Sequence, residues 1–459
     1  MATTSQRNSV ERLRAELDGR VIGPGDAAYD EARAVSAAVD RRPELIVRPA
    51  DAEEVAHVVS LARESGLELA VRSGGHSAAG HGVSDGGIVL DLSRLKRLEI
   101  DPGRRVAWAE TGLTAGELTS CAGAHGLAVG FGDSGAVGIG GLTLGGGVGY
   151  LVRKHGLTID SLLGAELVTA DGELLQVDAD EHPDLFWAIR GGGGNFGVAT
   201  RFRYRLHPVD VVVGGMLVLP ATPEVLAGFV EAAEAAPDEL SAIANVMPAP
   251  PLPFIPQEQH GRLAVLATLV HAGAEEDAER VLAPFRALAP PVADLLRPLR
   301  YPELFGEAEG GGGLRAVVRS LFVDEVDTAV AGSILDRLGA SSAQMSVAQI
   351  RVLGGAVARV RNEATAYAHR RRRIMVNVAA LYARPGEADV HEAWAGETAA
   401  SLRRGEDRVY VNFLGDEGPE RVRAAYPGET WERLREVKRR YDPTNLFRLN
   451  HNVPPAEEG

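Results

Sequence analysis

The sequence predicts an α+β protein of two domains, on three observations. The chain has 459 residues, which is enough for two or three domains of about 150 residues each. Its hydrophobic fraction of 45% and charged fraction of 24% are those of a globular protein with a sizeable core. Short helix and strand patterns alternate as far as Pro208, and the pattern changes after it. We therefore expect one domain at residues 1–208, a second at 209–405 and a C-terminal segment at 406–459.

Cap and turn residues delimit the elements of the first domain. Asp51 and Glu54 have the spacing of a capping box, so a helix should begin directly after Asp51. Asp171-Gly172 separates two short apolar runs and is typical of a two-residue hairpin turn. Strands are predicted near residues 67–71, 88–92, 165–169, 173–177 and 198–206.

The second domain carries stretches of helical periodicity near 222–236 and 275–288. The run Gly310–Gly313 indicates a flexible loop, because glycine runs of this kind rarely hold one conformation. Four consecutive arginines at 370–373 indicate a solvated loop or the start of a strand. The other predicted features, in order, are a proline-rich loop at 248–256, a strand at 409–413 and a helix that ends at Tyr441.

Composition excludes several classes of protein and partner. Lysine and arginine number 48 against 63 acidic residues, a formal charge of −15, whereas a nucleic-acid partner requires a basic face. Cys121 is the only cysteine, which excludes an intrachain disulfide and any cysteine-rich metal site. The polar N-terminus lacks the apolar core of a signal peptide, and no apolar run is long enough to span a membrane. We therefore expect a soluble, cytoplasmic protein.

Glycine is unusually frequent and is concentrated in three segments. The 54 glycines are about 12% of the chain, against roughly 7% in an average protein. Successive glycines let backbone N–H groups converge on an anion, as in phosphate-binding nests. The three segments are Arg72–Ser77, which directly follows a predicted strand, Gly138–Gly149 and Arg190–Val198. Together they indicate a ligand that contains a pyrophosphate.

None of the three segments is a standard nucleotide motif. A Rossmann fingerprint that began at Gly138 and Gly140 would need a third glycine where Thr143 stands. No segment ends in the Gly-Lys-Ser/Thr of a Walker A motif. The alternative is that the glycines serve turns and tight packing, which would be the preferred interpretation of one segment alone. Three segments within about 120 residues favour a ligand.

The same motifs resemble a known family. The stretches at 72–77, 138–149, 191–198, 410–412 and 441–450 are similar, in this order, to those of the berberine-bridge-enzyme-like FAD-linked oxidases. That family belongs to the vanillyl-alcohol oxidase superfamily. The resemblance implies its two-domain fold, in which a PCMH-type FAD-binding domain is paired with an antiparallel-sheet substrate domain. It also implies that the C-terminal segment returns to the FAD-binding domain.

The resemblance implies one covalently bound FAD. His76 matches the histidine that bonds to the flavin 8α-methyl carbon, and a neutral imidazole is a nucleophile near neutral pH. Many relatives add a second link from a cysteine, but Ser134 stands at that position, so we expect a single link. The residues expected to bind the cofactor are Arg72, Ser73, Gly74, Gly75, His76, Ser77, Ser134, Val137, Gly138, Gly140, Gly141, Gly145, Gly146, Gly147, Gly149, Gly193, Asn195, Gly197, Val198, Tyr410, Asn412 and Asn450.

Three residues match positions that the family uses in catalysis. Val137 matches the position that gates dioxygen, where valine tends to accompany oxidases. Tyr410 is a candidate base, although its pKa would have to fall well below about 10. Asn377 matches a position where some relatives keep Glu or Gln, and an amide orients a substrate but is not a base. Strand alternation puts Asn377 on the same face as Met375.

The expected reaction is oxidation of a small amine or alcohol. Alcohol-oxidising relatives carry tyrosines where this chain has Ala78 and Val148, whereas a neutral amine releases a hydride without a strong base. We expect an oxidase that returns the electrons to dioxygen and yields hydrogen peroxide. The alternatives are a dehydrogenase with another acceptor and a non-catalytic binding protein of the same fold. No metal is expected, since His76 and His81 lack neighbouring acidic or cysteine ligands.

Overall fold

The computed structural model describes residues 11–17, 19–35, 39–306 and 314–457. Helices and strands are mixed along these residues, and the α+β prediction is confirmed. The predicted flexible run Gly310–Gly313 lies outside the described residues. Within the described part of the chain, no helix is long and apolar enough to cross a membrane.

A small, mostly parallel sheet forms first along the chain. Asp51 caps the helix that follows it, because its carboxylate accepts a hydrogen bond of 2.9 Å from the Glu54 amide. The predicted strand that ends at Arg72 is confirmed, and it leads directly into the first glycine segment. The elements are α1 (Tyr29–Ala32), α2 (Ala52–Ser65) and strands β1 (Val21–Ile22), β2 (Leu45–Val47), β3 (Leu69–Arg72) and β4 (Ile88–Asp91), paired in the order β1-β2-β4-β3.

A five-stranded antiparallel sheet follows. Its predicted hairpin is confirmed, but the turn has three residues instead of two. The Thr169 amide donates to the Glu173 carbonyl at 2.9 Å across residues 170–172, and Gly172 adopts φ +85°. The strands pair in the order β5-β6-β10-β8-β9, and β7 pairs with β11. The elements are β5 (Leu98–Asp101), β6 (Val106–Glu110), α3 (Ala115–Gly123), β7 (Leu127–Ala128), α4 (Ile139–Leu144), α5 (Val152–His155), β8 (Leu162–Val168), β9 (Leu174–Val177), α6 (Pro183–Ala188), β10 (Val198–Arg205) and β11 (His207–Pro208).

The largest sheet is antiparallel and contains eight strands. Its order is β15-β12-β14-β13-β18-β19-β17, with β16 also paired to β12. The two helices predicted for this part of the chain are confirmed as α7 and α8. The elements are β12 (Val211–Pro220), α7 (Pro223–Ala235), β13 (Leu240–Pro248), β14 (Leu263–His271), α8 (Ala278–Arg286), β15 (Ala293–Asp294), β16 (Arg297–Arg300), β17 (Arg315–Val323), α9 (Thr328–Gly339), β18 (Met345–Val352), α10 (Ala356–Arg359), β19 (Ile374–Tyr382) and α11 (Ala388–Leu402).

The two faces of the eight-stranded sheet pack against different partners. Val376 and its alternate neighbours on β19 lie in an apolar core with side chains of α7, α8, α9 and α11. Met375 points to the other face, where it packs with Val148 of the second glycine segment and Tyr410 of the C-terminal segment. The sheet therefore covers the glycine segments with one face and carries its helices on the other.

The C-terminal segment contains α12 (Pro419–Ala425) and α13 (Glu429–Tyr441), and α13 ends where the sequence predicts. The predicted strand at 409–413 is wrong. Val411–Phe413 form one turn of 3-10 helix, closed by a 3.0 Å hydrogen bond from the Phe413 amide to the Tyr410 carbonyl. A short apolar run suits a buried turn as well as a strand, so its periodicity is an ambiguous signal.

The arginine run at 370–373 is not uniformly solvated. Arg370 is fully buried, and its guanidinium donates to both carboxylate oxygens of Asp160 at 2.7 and 2.8 Å. Arg371 and Arg373 are exposed, as predicted for the run as a whole. The prediction is wrong for Arg370 because a bidentate carboxylate partner, far away in sequence, compensates for its burial.

Candidate active site

Loops of the first domain and of the C-terminal segment enclose a large cavity. It contains about 1800 Å³ of space, including its open mouth. All three glycine segments reach it, and Val318 of β17 lines it from the eight-stranded sheet. The predicted residues that line it are Arg72, Ser73, Gly74, Gly75, His76, Ser77, Val137, Gly138, Gly140, Gly141, Gly193, Asn195, Gly197, Val198, Tyr410, Asn412 and Asn450.

The first glycine segment carries free backbone N–H groups beside the cavity. Gly75 has φ +69°, a left-handed conformation that glycine adopts without strain. Among the described residues, no acceptor lies within hydrogen-bond reach of the N–H groups of Gly74, Gly75, His76 and Ser77. Successive free N–H groups on such a turn form an anion-binding nest. This segment therefore has the geometry to bind a phosphate.

The first and second glycine segments touch through their backbones. A Cβ on Gly74 would lie 2.3 Å from the Gly138 nitrogen, and a Cβ on Gly138 would lie 2.3 Å from the Gly74 nitrogen. Ser73 fastens the contact, because its Oγ donates to the Thr111 carbonyl at 2.5 Å and accepts from the Gly140 amide at 3.2 Å. A side chain at either glycine would force the two loops apart.

Arg72 stabilises the base of the first segment rather than reaching for a ligand. Its side chain is 7% exposed, and one Nη donates to Asp91 at 2.9 Å and to the Ala32 carbonyl at 2.6 Å. Asp91 also accepts from Arg48 at 2.8 Å, and these arginines hold the pKa of its carboxyl below the usual range against the opposing effect of burial. The ion pair fixes the end of β3, from which the nest begins.

His76 projects from the nest into the exposed part of the cavity wall. Its Nδ1 lies 2.8 Å from the Gly74 carbonyl oxygen. A carbonyl oxygen only accepts hydrogen bonds, so Nδ1 carries the proton and Nε2 keeps its lone pair in the neutral ring. The imidazole is thus accessible and has one nucleophilic nitrogen.

Six predicted residues lie outside the cavity lining: Ser134, Gly145, Gly146, Gly147, Gly149 and Asn377. Close packing accounts for the glycines among them. A Cβ on Gly149 would lie 1.3 Å from the Phe131 carbonyl oxygen, and one on Gly147, which has φ +80°, would lie 2.0 Å from Thr158 Oγ1. The turn-and-packing alternative therefore explains the second half of the Gly138–Gly149 segment, while its first half faces the cavity.

Two asparagines join the third glycine segment to the C-terminal tail. Asn195 donates to the carbonyls of Gly192 and His451 at 2.8 and 3.2 Å, and its Oδ1 accepts from the Val453 amide at 2.9 Å. Asn450 donates to the Gly194 carbonyl at 3.2 Å. Its Oδ1 is buried without a partner among the described residues, although the side chain lines the cavity. That oxygen is free to accept from a ligand.

Tyr410 is a hydrogen-bonding hub and not a base at neutral pH. Its hydroxyl oxygen accepts from the Gly147 amide at 2.7 Å and from Asn412 Nδ2 at 2.9 Å. These bonds favour the phenolate, but complete burial outweighs them and raises the pKa of Tyr410 to about 12. The hydroxyl therefore keeps its proton and can donate it in a hydrogen bond toward the cavity.

Asn377 lies on the sheet face that covers the glycine segments, as the alternation with Met375 predicts. Its Nδ2 donates to Gln349 Oε1 on the neighbouring strand at 3.4 Å. Its Oδ1 is buried and has no partner among the described residues. Asn377 does not line the cavity itself. Gln349 and Arg351 connect it to Asp133, which does.

Two cavity histidines face each other and stay neutral. The rings of His81 and His451 meet edge to face with centroids 4.8 Å apart. Loss of solvent lowers the pKa of His81 to about 4 and that of His451 to about 3, with a smaller contribution from neighbouring charge. No group of three His, Cys, Asp or Glu side chains suited to a metal ion occurs in the described ranges.

Asp133 was not predicted from the sequence. It directly precedes Ser134, lines the cavity and forms a 2.6 Å ion pair with Arg351 of β18. Nothing in the local sequence distinguishes this aspartate from a loop residue, because its partner lies 218 positions away. Only the fold brings the loop and the sheet together here.

Two family models match the chain. The FAD binding domain matches residues 43–178, and the C-terminal region named berberine and berberine like matches residues 409–454. The first match contains the nest and the contact between Gly74 and Gly138, and the second contains Tyr410, Asn412 and Asn450. The two matched regions thus contribute most of the cavity lining.

Relatives match over almost the whole length. The chain is 33% identical to (R)-6-hydroxynicotine oxidase of Paenarthrobacter nicotinovorans, covering 96% of this chain and 97% of that protein. Glucooligosaccharide oxidase of Sarocladium strictum is 35% identical over 45% of this chain and 42% of its own length. The solved structure of 6-hydroxy-D-nicotine oxidase from Arthrobacter nicotinovorans has a TM-score of 0.85 at 30% identity, covering 96% and 98% of the two chains. BBE-like 1 of Physcomitrella patens shares the fold, with a TM-score of 0.86 at 21% identity and coverage of 98% and 100%.

The site consists of a phosphate nest and a large cavity that an antiparallel sheet covers. Together with these matches, it defines an FAD-dependent oxidoreductase. The chain belongs to the berberine-bridge-enzyme-like family of FAD-linked oxidases. The described residues fit the cofactor, because free N–H groups at Gly74–Ser77 suit its phosphates and the unpartnered Asn450 Oδ1 suits a donor on it. The resemblance drawn from the sequence motifs is confirmed.

The high pKa of Tyr410 gives a direct prediction. Between pH 7 and 10 the ultraviolet difference spectrum of the wild type minus Tyr410→Phe should contain no phenolate band near 295 nm, because the pKa of Tyr410 is raised to about 12. Free tyrosine in the same buffers is the control, because its hydroxyl titrates with the ordinary pKa of about 10. A phenolate band that titrates below pH 10 and is lost in the variant would make Tyr410 a candidate base again.

Proposed function

We propose that the chain is an FAD-dependent oxidase of a small organic amine or alcohol and that its product is hydrogen peroxide. FAD, when bound, accepts a hydride from the substrate and returns the electrons to dioxygen. The observation that carries the proposal is the nest of free N–H groups at Gly74–Ser77, on a cavity that the eight-stranded sheet covers. Two matched relatives are named as oxidases, which supports dioxygen over another acceptor.

Different parts of the chain would bind the cofactor and the substrate. Residues 1–208 and 406–459 would hold the cofactor, and residues 209–405 would form the wall against which the substrate binds. The nest and the first half of the second glycine segment would take the pyrophosphate. Asn195, Gly197 and Val198 would lie along the adenosine and ribityl portions, with Asn412 and Asn450 toward the ring system. This assignment is supported by the cavity lining, to which all five of these residues contribute.

A single covalent link through His76 is part of the proposal. The ring is accessible, and its neutral form keeps a nucleophilic lone pair on Nε2, as attack on the flavin 8α-methyl carbon requires. Ser134 replaces the cysteine of doubly linked relatives, and its side chain lies outside the cavity lining. One link is therefore the chemistry that these residues support.

An amine is the preferred substrate class. Tyr410 stays protonated at neutral pH, and the amide of Asn377 does not accept a proton. Ala78 and Val148 offer no hydroxyl where alcohol-oxidising relatives have tyrosines. An amine nitrogen has its own lone pair to drive hydride loss, so it needs no base from the wall.

The covalent link is tested by acid precipitation. Wild-type protein should give a washed pellet that keeps the yellow flavin absorbance, whereas the pellet of His76→Ala should lose it to the supernatant. His81→Ala is the matched control, because it removes another cavity histidine, and its pellet should stay yellow. Flavin that leaves the wild-type pellet, or stays with that of His76→Ala, would contradict the link.

The role of Val137 is tested without a substrate. Flavin reduced with dithionite should be reoxidised by dioxygen about tenfold more slowly in Val137→Leu, because the larger side chain occupies space beside the ring. Val71→Leu, which enlarges another valine of the lining, is the control and should reoxidise at the wild-type rate. Stopped-flow absorbance measures both rates. Equal rates in wild type and Val137→Leu would remove Val137 from dioxygen gating.

A further inference from the structure

The proposed function leaves the substrate nitrogen without a partner among the residues assigned to the site so far. We infer that Asp133 supplies it, as the carboxylate that binds the amine and stabilises the positive charge that forms on its nitrogen. The inference rests on the proposed function and narrows its substrate to amines. It rests on where the Asp133 side chain lies, on what holds it in place and on its second carboxylate oxygen, which accepts no hydrogen bond within the described residues.

Asp133 is the only Asp or Glu that lines the cavity in the described part of the chain. Its side chain is 32% exposed, so it is neither in the core nor in bulk solvent. The Tyr150 hydroxyl donates to its backbone carbonyl at 3.2 Å and holds the loop in place. The rest of the cavity lining is largely apolar, so this carboxylate is the group in the lining that attracts a cation most strongly.

Arg351 fixes this carboxylate from behind. The guanidinium is 3% exposed, and its Nη2 donates to Asp133 Oδ2 at 2.6 Å. Its Nε donates to Gln349 Oε1 at 2.9 Å, and its guanidinium carbon lies 5.2 Å from the ring centroid of Phe413. Two contacts besides the ion pair hold the arginine, so the carboxylate that it binds is held as well.

The second carboxylate oxygen is left for a ligand. Asp133 Oδ1 accepts no hydrogen bond within the described residues, and an ionised carboxylate oxygen only accepts. Phe413 and Val318 line the same cavity and offer apolar contact for the body of a substrate. Tyr410, whose ring is 5.1 Å from that of Phe413, belongs to the same cluster. An N–H donor attached to an apolar body is the group that this corner accommodates.

The charge balance of the reaction gives Asp133 its function. When the C–H bond next to an amine nitrogen breaks, both of its electrons leave as a hydride to FAD, and the nitrogen lone pair forms the C=N bond. The product is an iminium cation, so positive charge grows on nitrogen during the step. A fixed carboxylate next to that nitrogen stabilises the transition state more than the neutral amine. The step requires the neutral amine, so a substrate that arrives as an ammonium ion releases one proton to solvent before the C–H bond breaks.

The test uses the FAD-loaded protein and three probes of one shape: N-methylbenzylamine, its neutral analogue benzyl methyl ether, and benzoate. Dissociation constants come from visible difference spectra of the flavin under anaerobic conditions. The wild type should bind the amine at least about tenfold more tightly than the ether. Asp133→Asn should lose about tenfold or more in amine affinity and less than twofold in ether affinity. Asp324→Asn, which removes an exposed carboxylate, should match the wild type.

Further variants separate recognition from folding. Asp133→Asn leaves Arg351 buried without its carboxylate, so the double variant Asp133→Asn/Arg351→Gln removes the stranded charge. It should also lose the preference for the amine. Arg351→Gln alone keeps the carboxylate of Asp133. Its affinity for the amine should therefore be higher than that of Asp133→Asn. Equal losses for amine and ether, unchanged amine affinity in Asp133→Asn, or a wild type that prefers benzoate would each overturn the inference.

A separate measurement distinguishes failure of this inference from failure of the proposed function. Reoxidation of dithionite-reduced flavin by dioxygen in the wild type tests the oxidase assignment separately from amine binding. A wild type that fails to react with dioxygen would contradict the oxidase but not the amine preference. A normal dioxygen reaction with no amine preference would contradict only the role of Asp133.

Discussion

The first two glycine segments can meet only because Gly74 and Gly138 lack side chains. Gly74 and Gly138 leave no room for a Cβ between them, and Ser73 fastens the loops by two hydrogen bonds. The contact joins the end of a parallel strand to the start of α4, in separate parts of the first domain. Because the loops meet there, the free N–H groups of Gly75 and its neighbours border one cavity instead of facing solvent.

Long-range contacts join this frame to the C-terminal segment and to the eight-stranded sheet. Tyr410 is bonded to Gly147, and Asp133 to Arg351. Arg153 donates to the Leu353 carbonyl at 2.7 Å and adds a third connection. Each contact buries a polar group that the partner satisfies, so the relative position of loop and sheet is specified by hydrogen bonds as well as by apolar packing. These hydrogen bonds therefore hold the polar side chains of the cavity beside the nest.

Local signals predicted much of the fold, and long-range contacts explain where they failed. The cap at Asp51 and the turn at Gly172 are decided within a few residues, so the sequence suffices. The strand expected at 409–413 was wrong because a short apolar run suits a buried turn equally well, and the solvation of Arg370 was wrong because its partner is distant. The same holds for the site. The glycine segments and His76 were found from their motifs, whereas Asp133 becomes notable only through a partner 218 residues away.

One measurement tests the central claim that the contact between glycine backbones builds the cofactor site. It is the ratio of flavin absorbance at 450 nm to protein absorbance in purified Gly138→Ala, compared with Gly396→Ala. Gly138 has φ −66°, so alanine is unstrained there and only the contact is tested. A Cβ at Gly396 meets open space. The account predicts wild-type flavin content in Gly396→Ala and loss of most flavin in folded Gly138→Ala. Full flavin content in Gly138→Ala would contradict it.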